Sequence, residues 1–260
     1  MTQTSYEYSG LMAHLWDTFR GDTSEWADRF FYLEIIKQYG QPVLDIGCGT
    51  GRLLLDYCAQ GIDIDGVDNS PEMLAICHAK AQQQGLSVQT HLQEMEALTL
   101  PRSYKTILIP SSSLQLVTDR DLAARTMQRI YDHLQPGGVV VAPLFSLRSA
   151  DDPLELTWEI SAVRPEDGAT VKRFIYSRFD PVSECEDTED RYQVVQDGVV
   201  IAEERHQRTQ ATRSYNRAQA EALFAQAGFV DIQVYSDFSF APAQSDAKSF
   251  TLLGHKAGGI

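Results

Sequence analysis

The chain has 260 residues, is 43% hydrophobic and carries a formal net charge of −14, enough material to bury a full core as one domain plus an insert. It contains no apolar run of about eighteen residues, which argues against a helical membrane span, and its first residues lack the basic flank and apolar stretch of a secretory signal. Residues 151–191 hold twelve acids and five bases, a net of −7, and such a surface repels a phosphate backbone, so a nucleic-acid partner is not expected.

The elements follow in chain order. Leu11, Leu15, Trp16 and Phe19, then Trp26, Phe30, Leu33 and Ile36, recur at helical spacing with a break near Gly21. Residues 1–39 are therefore expected as an N-terminal helical lid. Strand and helix patterns then alternate: strands at 42–46, 62–67, 88–92, 106–110 and 139–145, with helices at 50–60, 70–84 and 119–134. Ser70 before Pro71 predicts an N-cap followed by proline at the first helical position. This alternation implies a Rossmann-like, seven-stranded, mostly parallel sheet with helices on both faces. After Phe145 the pattern changes to strands at 156–163, 170–178, 191–196 and 199–209, with an Asp197-Gly198 hairpin signal. An antiparallel β insert at 148–210 is expected, serving a substrate, lid or dimer role. The α/β core, assigned to 40–147 and 211–260, resumes with a helix capped by Asn216 and strands at 230–238 and 249–255.

The most informative segment is Val43-Leu44-Asp45-Ile46-Gly47-Cys48-Gly49-Thr50-Gly51, between the first strand and the first core helix. Its glycines allow a sharp turn and close approach of a ligand to the backbone. Asp68, ending the second strand, lies at the neighbouring carboxyl edge, where a carboxylate can accept both hydroxyl protons of a ribose. A dinucleotide fingerprint needs glycines at its first, third and sixth positions; here the sixth is Arg52. Asp45 beside the loop suits a ligand with an ammonium group rather than a pyrophosphate. A dehydrogenase is disfavoured on both grounds, and S-adenosyl-L-methionine fits better.

These residues resemble class I S-adenosylmethionine-dependent methyltransferases. VLDIGCGTG at 43–51 is similar to their first motif, GVDNSPEML at 66–74 to the second, HLQEMEALTLP at 91–101 to the third, and LQPGGVVV at 134–141 to the closing strand. The resemblance covers about residues 40–145, with a weaker continuation through 216–256. It implies that Asp45, Gly47, Cys48 and Gly49 face the methionine portion of the cofactor. It implies that Asp68 holds the ribose, with Asn69 and Ser70 beside it, and that Met73, Glu94 and Met95 meet the adenine. Pro110 and Ser111 would lie beside the reacting methyl. Tyr104-Lys105 replaces the family's usual Phe-Asp, and Glu94 replaces its usual Asp. The N-terminal aromatics, Trp16-Asp17, Arg20-Gly21 and the insert also resemble small-molecule N-methyltransferases of the sugar N,N-dimethyltransferase or glycine/sarcosine type. That likeness implies that Arg20 meets the cofactor carboxylate and that Tyr6 or Tyr8 closes over the site.

The expected activity is methyl transfer to a nitrogen or oxygen of a small molecule. Alternatives are a protein or nucleic-acid methyltransferase, or a protein that binds the cofactor without turnover. Ser112, Ser113 and Gln115 of the segment 111–115 are candidate acceptor contacts. None of the six histidines has a sequence partner that forms a dyad, so no catalytic base is assigned. The four cysteines show no CxxC spacing, which suggests reduced thiols of a cytoplasmic protein and no metal. A monomer or homodimer is expected.

Overall fold

The computed structural model describes residues 7–149 and 151–258. Strands β1 (Val43–Ile46), β2 (Ile64–Asp68), β3 (Gln89–Leu92), β4 (Tyr104–Leu108) and β5 (Leu134–Phe145) are joined by β10 (Val230–Ser236) and β11 (Ser249–His255). They form one seven-stranded sheet ordered β10-β11-β5-β4-β1-β2-β3. The five strands from β5 to β3 pair in parallel, and β11 runs antiparallel to both its neighbours. All four residues of β1 are buried, as expected for a central strand covered on both faces.

Helices α3 (Ala27–Tyr39), α4 (Arg52–Ala59) and α5 (Pro71–Gln83) cover one face, and α6 (Arg120–Asp132) and α7 (Arg217–Gln226) the other. The expected caps are present. Ser70 Oγ accepts from Met73 N at the start of α5, and Asn216 and Gln219 form a reciprocal capping box on α7. In α3 the buried stripe is Phe31, Tyr32, Ile35 and Ile36, whereas Trp26 and Phe30 of the expected stripe are exposed. Two stripes offset by about one position both have helical spacing here. Packing under β1 selects the one whose Phe31 and Tyr32 rings meet Phe238. Helix α3 thus belongs to the layer beneath the main sheet.

The insert is a four-stranded antiparallel sheet of β6 (Glu155–Val163), β7 (Thr170–Asp180), β8 (Cys185–Gln196) and β9 (Val199–Arg213) in sequential order. Asp197 and Gly198 turn β8 into β9 with φ of 51° and 79°, the conformation a tight hairpin demands. Strand β8 begins at Cys185, ahead of the expected 191. Its first half is mostly polar, with Glu186 and Asp190 buried on alternate positions, so it lacks the apolar alternation that marks a strand. Two short helices, α1 (Gly10–His14) and α2 (Trp16–Arg20), lie against this second sheet. Met12 and Leu15 pack there with Val171, Tyr192 and Val194.

One expected acceptor contact has a different job. Gln115, in the short turn Ser113–Leu116, is completely buried. Its Nε2 donates to Phe145 O (3.0 Å) and Arg213 O (2.6 Å), and its Oε1 accepts from Phe145 N (2.9 Å). Every polar atom of this amide is engaged in tying the end of β5 to the end of β9. Gln115→Ala strands those backbone groups without partners, so it is expected to cost roughly 2–4 kcal/mol of stability. Denaturant melts of the two proteins check this; an unchanged midpoint would refute it.

Candidate functional site

The loop after β1 is shaped by its glycines. Gly47, Gly49 and Gly51 all have positive φ, at 75°, 53° and 87°, a region that side chains disfavour. A Cβ on Gly47 would sit 2.7 Å from Ser113 Oγ, and one on Gly51 would sit 2.6 Å from Cys77 Sγ. At Gly49 the nearest atom to such a Cβ is Gly47 O at 4.0 Å; its backbone faces open space. The loop is pinned to β2 by Gly47 N and Cys48 N, which both donate to Val67 O at 2.7 and 3.0 Å. Asp68 continues the arrangement. One of its oxygens accepts from Gly49 N (2.8 Å) and the other from Ser70 N (2.9 Å). A carboxylate has about four lone-pair directions, so it keeps acceptor capacity toward the pocket.

The pocket lies at the carboxyl edge between β1 and β4, where the strand order reverses and open α/β sheets accept ligands. Of the expected residues, Asp45, Gly47, Cys48, Gly49, Asp68 and Asn69 line it. So do Met73, Met95, Pro110, Ser111 and Arg20. Four others are placed elsewhere. Ser70 is buried, with its hydroxyl spent on Met73 N and Tyr8 O. Glu94 is exposed outside the lining, while its neighbours Gln93 and Met95 face in; the loop after β3 turns that acid to solvent. Ser112 sits at φ 57° in the turn above the pocket and does not line it. Gln115 is locked between β5 and β9. Tyr6 lies outside the described residues. Ser113, expected among the residues of the serine segment, lines the pocket; the sequence reading missed Thr50 and Arg52 as wall residues and took Trp16 only as part of a motif, and these line it too, with Tyr8. Thr50 and Arg52 adjoin the glycines, which was the available signal.

Electrostatics set the pocket's character. Asp45 is buried at the pocket floor, and its Oδ1 has no hydrogen-bond partner. Burial pushes its carboxyl up to about 7, opposed by the nearby Arg52 and reinforced by Asp68. Arg52 is itself held by Asp28, with Nη2 to Oδ2 at 2.5 Å. Burial also raises Asp68 above the usual carboxylate range. Across the pocket, Arg20 lies 4.2 Å over the Trp16 ring and donates to Ser111 Oγ at 3.2 Å. Burial and then the charge of Arg52 pull it down to about 10. The floor therefore presents an under-satisfied acid and an acid fixed by backbone N–H groups, and the wall presents a desolvated cation. This set is complementary to a ligand with an ammonium, a carboxylate and paired hydroxyls.

Residues 43–138 match the family described as the methyltransferase domain. A protein of Geobacillus sp. (strain WCH70), named as a methyltransferase, is 26% identical over 92% of this chain and 96% of its own length. The dTDP-3-amino-3,4,6-trideoxy-alpha-D-glucopyranose N,N-dimethyltransferase of Streptomyces venezuelae is 28% identical over 52% of this chain and 54% of its own. Among solved structures, an S-adenosylmethionine-dependent methyltransferase from Clostridium acetobutylicum ATCC 824 superposes with a TM-score of 0.75. It is 21% identical, covering 95% of this chain and 98% of that one.

The raised carboxyl of Asp45 carries a stability consequence. An acid whose folded value lies above its ordinary 3.8 disfavours folding once ionised. That penalty is absent below about 3.8, grows as pH rises, and is complete above about 7. Asp45→Asn is therefore expected to stabilise the ligand-free protein at alkaline pH, by on the order of 1–3 kcal/mol. Thermal melts across pH check this; a variant less stable than the parent at alkaline pH would contradict it.

Proposed function

We propose that this chain is an S-adenosylmethionine-dependent methyltransferase and that it methylates a nitrogen of a small polar acceptor. Bound S-adenosylmethionine supplies a methyl group on a positively charged sulfur, so the bond to be broken is already activated. The unpaired Oδ1 of Asp45 is the observation that carries the reading: it accepts from the cofactor ammonium, relieving the cost of its burial. Arg20 receives the carboxylate. Asp68 accepts from the ribose hydroxyls, with Asn69 beside it. Met73 and Met95 flank the adenine, with Gln93 in the place first given to Glu94. Pro110 and Ser111 border the region where transfer occurs.

The acceptor is recognised on the side of the insert. Directly paired residues of antiparallel strands share a face, and Arg173, Tyr192 and Glu204 form one such row, with Asp190 and His206 in the next. Arg173 Nε donates to Asp190 Oδ1 at 2.7 Å. Tyr192 meets Phe19 of α2, and Arg208 lies 4.9 Å over Tyr8, a residue of the cofactor pocket. Tyr192 itself is buried under Met12 and Leu15, so the acceptor contacts fall to the charged groups beside it, Arg173 and His206.

Among the described residues, no histidine, glutamate or lysine lines the pocket. A neutral amine needs no strong base to attack the activated methyl, whereas a hydroxyl usually does; the cofactor pocket offers none, and the nearest candidate on the acceptor face is His206, 3.0 Å from Glu204. The amino-sugar acceptor in the name of the Streptomyces venezuelae relative points to nitrogen. No helix among the described residues is long and apolar enough to cross a membrane, and all four cysteines are free thiols. Both support the assignment to a reducing, cytoplasmic setting.

The test is transfer of a labelled methyl group from the cofactor to amino sugars and small amines, with hydroxyl analogues of the same skeletons as controls. Label is expected on nitrogen. Arg173→Gln is expected to raise the acceptor KM roughly tenfold, the worth of a charge-assisted hydrogen bond, and to leave S-adenosylhomocysteine affinity unchanged. Label appearing only on hydroxyls, protein or nucleic acid would overturn the proposal.

A further inference from the structure

The segment from Tyr8 to Arg20 is sandwiched between the two halves of the molecule. Tyr8, Trp16 and Arg20 line the cofactor pocket, while Met12, Leu15 and Phe19 pack on the insert. A ligand bound against Gly49 is thus covered by a strap, and the strap has to yield for exchange.

Its start is gripped from both sides. Gly10 N donates to Glu72 Oε2 at 2.8 Å, and Leu11 N donates to Glu204 Oε2 at 2.6 Å. Glu72 belongs to the first turn of α5 in the core, and Glu204 to β9 in the insert. Two carboxylates from separate sheets therefore converge on adjacent backbone N–H groups. The approach depends on glycine: Gly10 has φ of 56°, and a Cβ there would lie 2.2 Å from Glu204 Oε1. Nearby ties add to the grip. Ser70 Oγ donates to Tyr8 O at 2.5 Å, and Arg208 Nη2 donates to Glu7 O at 2.6 Å. At the other end, Asp17 accepts from Thr50 Oγ1 (2.7 Å) and Lys80 Nζ (2.9 Å). Thr50 is part of the glycine loop, so the strap's far end is fastened to the pocket floor.

We infer that Glu72 and Glu204 form a carboxylate latch that holds the strap shut, and that release of this latch sets the rate at which cofactor and product leave. Each carboxylate also has a histidine beside it, His14 at 3.9 Å from Glu72 and His206 at 3.0 Å from Glu204. Because the two grips fall on adjacent N–H groups, loss of one loosens the segment that the other holds. The inference rests on the cofactor reading given above for its second half only; the latch itself is a property of the ligand-free fold.

Glu72→Ala/Glu204→Ala removes both grips. Gly10→Ala leaves both carboxylates in place and forces Glu204 away by its Cβ alone. Hydrogen exchange of the Gly10 and Leu11 amides reads the latch without any ligand. Exchange is expected to rise at least tenfold in both variants, since a hydrogen bond to a charged group is worth about that factor or more. The amides of β1 and β4 should be unaffected. Stopped-flow dissociation of S-adenosylhomocysteine is expected to accelerate by a similar factor. Unchanged exchange at Gly10 and Leu11 would overturn the latch. Faster exchange with unchanged ligand dissociation would overturn its control of release. Failure of the parent protein to bind S-adenosylhomocysteine would defeat the cofactor reading and leave the exchange result standing.

Discussion

A buried acid with an unpaired oxygen sits near the end of the central strand, and much of the molecule is arranged around that cost. Asp45 is tolerated because Arg52 stands near it and opposes the effect of its burial. Arg52 is in turn positioned by Asp28, which belongs to α3. The helix that a lid assignment would place over the site is thus part of the support beneath it. An under-satisfied carboxylate of this kind is a poor choice for stability and a good one for binding a cation. Proteins concentrate such departures from local optimality at functional sites.

The fold separates rigid from adjustable parts. The parallel strands fix the floor: β1 delivers Asp45 and the glycine loop, β2 delivers Asp68, and β4 delivers Pro110 and Ser111. These groups are held by backbone hydrogen bonds within a close-packed core, so their spacing survives ligand exchange. The walls are of another kind. Trp16 and Arg20 come from the short helix α2 and Tyr8 from the stretch ahead of α1, segments whose own hydrogen bonds are few and whose position depends on side chains from both sheets. Segments of that sort open at low energetic cost. In the proposed reading, cofactor geometry is set by the sheet and access by the strap.

Much of this was legible in the sequence because it rests on local chemistry. The alternation of strand and helix, the caps at Ser70 and Asn216, the Asp197-Gly198 hairpin and the turn glycines are each dictated within a few residues. The misses share a different cause. Gln115 lies on the predicted side of β4, but whether its amide meets a ligand or a backbone depends on Arg213, distant in sequence and brought close only by folding. Glu94 was placed by alignment to a motif, yet the loop after β3 points its neighbours inward. Ser112 was judged by its hydrogen-bonding capacity, whereas in the left-handed turn it shares with Ser111 it is Ser111 that reaches the pocket. The first half of β8 is polar because its buried face carries Glu186 and Asp190 rather than aliphatic residues, so periodicity alone could not detect it. Tertiary pairing decided all four.

The central claim is that Asp45 meets a cationic group of the cofactor and is partly protonated until it does. Titration calorimetry of S-adenosylhomocysteine at about pH 6.5, in buffers of different ionisation enthalpy, tests it directly. Binding should expel a fraction of a proton into the buffer, so the observed heat should depend on the buffer; that dependence should fade above about pH 8 and vanish in Asp45→Asn. Heats independent of buffer at the lower pH, or release of the same proton by the Asn variant, would contradict the account.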